Sequence, residues 1–370
     1  MMVNSIENMI LFICVQYHKM GKILSKPINK EQEQVSHKKE TFVLPTNPHY
    51  SLTPYHLSGD VYISFAFHPT ENIIAVGKND GSLEIHGYSA NRMLFMCLSS
   101  SAGEHTNAIC SIAFNHNGTL FATASCDNSA KLWEVSADGK NLNCVKTLIG
   151  HDNRVQSVAF NCDGTLLITG SDDNTAYVWQ ILLDSEDIVV KYITTLDQHT
   201  GGINAVAFHP TRPDIVATGS EDHTIILWNI DLSTETADAI KTLIGHAFWV
   251  SSLVFLQDGT GLVSGSYDGT VKIWNCIFGE SLDYRVETIG TPNGEDQPYD
   301  ETIRVNSVAF DETTDTLAIG KSNGVIEFWS LSSNDALGTL NKDCESIRSV
   351  VFNGRIFASL SIEQIIFYLS

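Results

Sequence analysis

Apolar and polar residues alternate in short runs along most of this chain. Val155, Ser157 and Ala159 fall on one side of an extended segment, and Ile203, Ala205 and Ala207 repeat the arrangement. A side-chain period of two is that of a half-buried β-strand. From about Phe42 onward such runs are separated by clusters of Gly, Asn, Asp and Pro. Evenly spaced short strands bounded by turn residues predict an all-β protein.

The runs recur. A Phe closes one kind of strand at Phe67, Phe114, Phe160, Phe208, Phe255, Phe310 and Phe352, with spacings of 47, 46, 48, 47, 55 and 42 residues. Trp recurs at Trp133, Trp179, Trp228, Trp274 and Trp329, and a Gly-His pair or a relative of it precedes the Phe strand at His105, His151, His199 and His246. This period lies near the ~40–45 residues of a four-stranded propeller blade. With His, the Val-x-x-Val-Ala-Phe type of strand, a Thr/Ser-x-Ser-x-Asp turn and Trp in fixed order, residues 50–370 resemble the WD-repeat (tryptophan-aspartate) family. The resemblance implies a seven-bladed β-propeller of four-stranded antiparallel blades. The family's closing dipeptide is degraded, because the five Trp are followed by Glu134, Gln180, Asn229, Asn275 and Ser330.

Innermost strands are expected at Tyr62–Phe67, Ile109–Phe114, Val155–Phe160, Ile203–Phe208, Val250–Phe255, Val305–Phe310 and Ile347–Phe352. The last unit stops at a third strand, Ile365–Leu369, while Tyr50–Leu57 reads as an outer strand with no blade before it. As in the family, this N-terminal outer strand is expected to join the last blade and close the ring. Pro54 suits an edge, where a missing N–H costs least. The first, sixth and last units are atypical. Gly87 lies near the expected Trp position of the first, Asn323 replaces the turn Asp of the sixth, and Glu363 and Leu369 fall at the Asp and Trp positions of the last.

Composition narrows the function. Charged residues are only 18% and apolar residues 43%, which suits many buried strands. Net charge is −21, yet residues 1–50 carry six Lys against four Glu, leaving −23 on the rest. So acidic a body lacks the phosphate contacts that supply most non-specific nucleic-acid affinity, and proteins or peptides with basic segments are the natural partners. Residues 1–45 read as a flexible N-terminal extension and 46–370 as the propeller. Met9–Val15 is too short to span a bilayer. Met20-Gly21-Lys22-Ile23-Leu24-Ser25 would match an N-myristoylation signal if translation began at Met20, and membrane anchoring is expected only then. The eight cysteines are scattered without a CxxC pair, as in a reduced intracellular protein, most simply a cytoplasmic one.

No metal-ligand spacing, phosphate-binding Gly loop or nucleophile elbow appears, so neither metal nor cofactor is expected. The repeated His, Ser/Thr and Asp resemble a hydrolytic triad, but a triad is needed once and this grouping occurs four times. The family resemblance implies instead a hydrogen-bonded brace inside each blade: His105, Thr123, Asp127 and Trp133; His151, Thr169, Asp173 and Trp179; His199, Thr218, Asp222 and Trp228; His246, Ser264, Asp268 and Trp274. Binding is sought on the loop face. There the residue before each turn Asp (Asn79, Cys126, Asp172, Glu221, Tyr267, Ser322) and the residue leading into an inner strand (Arg154, Gly202, Trp249, Arg304) are free of the repeat grammar. Arg154, Asp172, Glu221, Trp249, Tyr267 and Arg304 are the partner-binding candidates. An acidic loop, Thr291–Thr302, adds to that face. The expected function is a non-catalytic protein- or peptide-binding scaffold. The alternatives are a substrate receptor of a cullin-type ubiquitin ligase and, further off, a propeller-based enzyme. Ligase-docking members of the family carry Arg two residues after the dipeptide, where this chain has Ser136, Leu182, Asp231, Ile277 and Ser332.

Overall fold

The structure is a computed structural model. It describes residues 50–52, 61–89, 94–183, 187–275, 286–289, 303–341, 346–354, 356–361 and 364–369. The N-terminal extension, the Met20 motif, Pro54, Glu363 and the acidic loop 291–302 lie outside the described residues. The strands form seven four-stranded antiparallel sheets, six of them in sequence order from the inner strand to the outer. This is a seven-bladed β-propeller, and the described residues contain no helix.

Inner strands run Tyr62–Phe67, Ile109–Phe114, Val155–Phe160, Ile203–Phe208, Val250–Phe255, Val305–Asp311 and Ile347–Asn353, defining blades 1 to 7. Each begins with a buried aliphatic or aromatic residue that packs on the preceding sheet, and this is why the apolar pattern located them to within a residue. The second strands, such as Leu120–Ser125 and Leu166–Ser171, are buried along their whole length. They lack alternation because both faces are covered.

The core lies between blades. Leu166 and Ile168 of blade 3 pack with Ile203, Val206 and Trp228 of blade 4 in one apolar cluster. Close approach is set by Gly170, where a Cβ would lie 2.7 Å from Ile203 Cγ2. On the face opposite the Gly-His loops, His209 packs on Gly259 of the following blade and hydrogen-bonds its carbonyl at 3.0 Å.

Closure follows the expected route, and residues 53–57 of the expected outer strand lie outside the described residues. Tyr50–Leu52 pairs antiparallel with Ile365–Leu369, matching Tyr50 to Phe367, Ser51 to Ile366 and Leu52 to Ile365. The seam between blades 7 and 1 is filled by Tyr62, Phe65, Ile356, Ile365 and Phe367. Two positions need correction. Ile74 pairs with His86 as Phe121 pairs with Trp133, so His86 rather than Gly87 takes the Trp site of blade 1. In blade 7 Leu360 pairs with Ile365, a turn one residue shorter than that joining Ala124 to Ala130, and this shifts the Trp site from Leu369 to Tyr368.

Candidate interaction surface at the channel mouth

The second residue of every inner strand sits at a break in register: Ile63, Cys110, Gln156, Asn204, Ser251, Asn306 and Arg348. A bulge leaves its extra residue out of the ladder and re-aims its side chain. All seven side chains line one cavity of 580 Å³ where the central channel opens on the Gly-His face. Two further kinds of residue crowd this mouth. In six blades the turn residue's N–H bonds the carbonyl of the residue leading into the inner strand: Asn79 to Val61, Cys126 to Ala108, Asp172 to Arg154, Glu221 to Gly202, Tyr267 to Trp249 and Ser322 to Arg304. The backbone therefore pins the loop tips in pairs.

Trp249, Tyr267 and Arg304 come together in a stack that continues past them. Ring centroids are 5.5 Å apart for His223–Phe248, 5.4 Å for Phe248–Trp249 and 5.7 Å for Trp249–Tyr267, and the Arg304 guanidinium lies 5.0 Å over the Tyr267 ring. His223 was missed in the sequence, whereas Phe248 is the chain neighbour of Trp249 and visible there as part of the aromatic cluster. His223 holds a left-handed turn position, φ 73°. Phe248 is 42% exposed, so the stack offers an open apolar edge, and Trp249 is half-buried between Phe248 and Tyr267.

Asp172 and Glu221 are also neighbours. Gly202 separates them, and a Cβ there would lie 3.2 Å from Asp172 Cα and 3.3 Å from Glu221 Cδ. Gln156 donates to Asp172 Oδ2 at 3.0 Å, while Oδ1 is buried and unbonded. Burial, with the Asp172 charge beside it, pushes the Glu221 carboxyl upward. Arg154 is exposed and lines the cavity, as do Tyr267 and Arg304, whereas Asp172, Glu221 and Trp249 do not. Two thiols also meet here, with Cys110 Sγ 2.9 Å from Cys126 Sγ.

The four repeated groups are each brought together. In blade 3 Trp179 Nε1 donates to Thr169 Oγ1 at 3.1 Å, His151 Nε2 is 2.9 Å from that hydroxyl, and His151 Nδ1 is 2.8 Å from Asp173. The His-to-Asp distance is 2.8 Å in blades 2 and 4 and 2.9 Å in blade 5. Trp133, Trp228 and Trp274 likewise donate to Thr123, Thr218 and Ser264 at 2.8–2.9 Å. Every proton has a place: the indole donates to the hydroxyl, the hydroxyl to Nε2, and Nδ1–H to the carboxylate. Burial lowers the proton affinity of His105, His151 and His246, in keeping with a neutral ring. The bonds from His and the turn hydroxyls outweigh burial and hold the carboxyls of Asp127, Asp173, Asp222 and Asp268 low. The four hydroxyl residues are 0% exposed, so a nucleophile there has no room for a substrate.

Blades 1 and 6, which lack the loop His, share a different device. Lys78 meets Glu84 and Lys321 meets Glu327, each at 2.5 Å. The third-strand residue joins in, His86 to Glu84 at 2.9 Å and Trp329 Nε1 to Glu327 at 3.4 Å. The Glu84 carboxyl falls to about 2, chiefly through the His86 bond and then that of Lys78.

The site thus defines a closed propeller that presents a fixed set of loop side chains around a channel. The WD domain, G-beta repeat model matches residues 96–134, 142–180, 190–229 and 238–275. With its seven blades, the chain belongs to the WD-repeat β-propeller family, whose members are generally non-catalytic scaffolds. It is 28% identical over 263 residues to Pre-mRNA-processing factor 19 of Oryza sativa subsp. japonica, covering 70% of this chain and 44% of that protein. It is 32% identical over 162 residues to DDB1- and CUL4-associated factor 13 of Dictyostelium discoideum, covering 44% and 34%. It is 29% identical over 89 residues to Small ribosomal subunit protein RACK1 of Drosophila melanogaster, covering 24% and 28%. The chain spans less than half the length of these relatives. Each family match begins in the outer strand of one blade and ends in the third strand of the next, so the sequence repeat and the blade are offset by one strand.

Proposed function

We propose that this protein is an intracellular, non-catalytic scaffold that assembles a multiprotein complex by binding a protein or peptide on the loop face around the channel mouth. The single observation that carries this reading is the stack His223–Phe248–Trp249–Tyr267–Arg304. Stacked aromatics and Arg held on a rigid frame are the usual anchors of binding energy. The paired acids add chemistry: the neighbouring carboxylates Asp172 and Glu221 draw a Lys or Arg of the partner to this side of the face. The partner segment therefore combines an apolar side chain with a basic one. The four His–Ser/Thr–Asp–Trp groups act as internal braces, and residues 1–45 form an extension to the propeller of 46–370.

Affinity purification with mass spectrometry tests this. Trp249→Ala with Tyr267→Ala should lose partners while the melting temperature holds, and an unchanged partner set would refute it. The likeness to DDB1- and CUL4-associated factor 13 supports a second reading, a cullin-type ligase receptor. Ser136, Leu182, Asp231, Ile277 and Ser332 in place of the docking Arg weigh against it. Direct binding to the ligase adaptor decides between the two.

A further inference from the structure

Cys110 and Cys126 lie 16 residues apart and their sulfurs are 2.9 Å apart. Two local features bring them together. Cys110 is the bulged residue of its inner strand, turned out of the ladder into the channel mouth. Cys126 follows the second strand directly, and its N–H is fixed on Ala108 O at 2.9 Å. Both thiols line the cavity, and both are only partly buried. The bond that joins two sulfurs is ~2.05 Å long, so linking them asks for a shift of about an ångström in side chains that rotate freely at χ1.

The two sulfurs are not equivalent. The hydrogen bond from Cys110 lowers the Cys126 thiol to about 7, and the Arg154 charge acts in the same direction against burial. The bond to Cys126 and burial push Cys110 upward. Cys126 is thus the thiolate and Cys110 the thiol beside it. Burial raises the other described cysteines, Cys97, Cys144 and Cys162.

We propose that Cys126 and Cys110 form an oxidation site at the channel mouth, where a hydroperoxide converts the pair to a reversible cross-strand disulfide. The Cys126 thiolate attacks one peroxide oxygen. The O–O bond breaks, the alkoxide or hydroxide leaves and takes a proton from water, and Cys126 becomes a sulfenic acid. Cys110 sulfur then attacks Cys126 sulfur, the S–O bond breaks, and hydroxide leaves with the Cys110 proton as water. The two thiols give up two electrons and the peroxide accepts them. A dithiol reverses the step by exchange. Oxidation removes a negative charge beside Arg154 and joins two of the bulge and turn positions that frame the mouth.

The test uses the full chain. The pH dependence of iodoacetamide alkylation is followed by peptide mapping, and the reduced protein is then treated with hydrogen peroxide. Cys126 should alkylate with a midpoint near pH 7, below that of Cys97 or Cys162, and Cys110→Ala should move that midpoint upward. Peroxide should yield a Cys110–Cys126 linked peptide pair that dithiothreitol removes. In Cys110→Ala, Cys126 should instead be trapped by dimedone, and in Cys126→Ser, Cys110 should stay unmodified. The proposal is overturned by peroxide products other than the Cys110–Cys126 link, or by Cys126 reacting no more readily than Cys97. Circular dichroism confirms that each variant is folded.

Discussion

Asp173→Ala removes the hinge of the blade 3 brace. The carboxylate accepts four hydrogen bonds: His151 Nδ1 at 2.8 Å, Asp152 N at 3.0 Å, Thr175 N at 3.0 Å and Thr175 Oγ1 at 2.6 Å. Water reaches the Asp152 amide, so its loss costs little. The His151 ring, 3% exposed, cannot turn to water without leaving Thr169. One stranded buried donor costs ~1–3 kcal/mol, and the weakened turn adds about 1. The expected loss is about 3 kcal/mol, which in a protein of this size lowers the melting temperature by roughly 4 °C. Asp163→Ala is the internal control. Asp163 caps Thr165 through its amide at 2.9 Å and its hydroxyl at 2.5 Å in an exposed turn, where the neighbouring His116 acts on it through charge. It should cost about 1 kcal/mol, or roughly 1.5 °C. Differential scanning fluorimetry and urea titration at pH 7.5 supply both numbers. If Asp173→Ala loses no more than Asp163→Ala, the His-centred brace contributes nothing and the argument fails.

Acid should weaken the ring in two stages. Below pH 6.5 the unfolded chain takes up protons that folded His105, His151 and His246, held low by burial, refuse, so stability falls with pH. Near pH 4 the carboxylates of Asp127, Asp173, Asp222 and Asp268, also held low when folded, add a second loss, and a melting curve measured from pH 8 to 3 should show both. Gly259→Ala places a Cβ 2.3 Å from His209 Cε1 at a φ of 74° and should cost about 2–4 kcal/mol by urea titration. Deleting residues 1–45 should leave the melting temperature within a degree or two. Deletion through Leu52 uncovers the Ile365–Leu369 edge and should lower it sharply, with self-association visible by size-exclusion chromatography.

The blades were legible because burial between neighbouring sheets demands the same residues each time: Val155, Ile203 and Val250 begin three inner strands and all are fully buried. The mouth was legible only in part. Arg154, Trp249 and Arg304 stood out as residues that packing does not require. The bulge ring did not, because Ile63, Cys110, Gln156, Asn204, Ser251, Asn306 and Arg348 share a backbone position and no chemistry. The meeting of Cys110 with Cys126 depends on one such bulge. The Lys78–Glu84 and Lys321–Glu327 pairs carried a signal that was overlooked, the same spacing across the same turn in two of the three blades without the loop His.

The closing seam has a mechanical consequence. Among the described residues it holds three residue pairs, against eight between the third and outer strands of blade 3. The chain enters the seam at Tyr50, opposite Phe367, and leaves the partner strand at the same end, past Leu369. Tension drawn through the segments flanking the ring therefore loads those hydrogen bonds one after another, as a zip is opened, instead of shearing them together. On the described pairs the seam is the mechanical fuse of the molecule: under load the circle should part there first, leaving the other six blades with their full complement of strands.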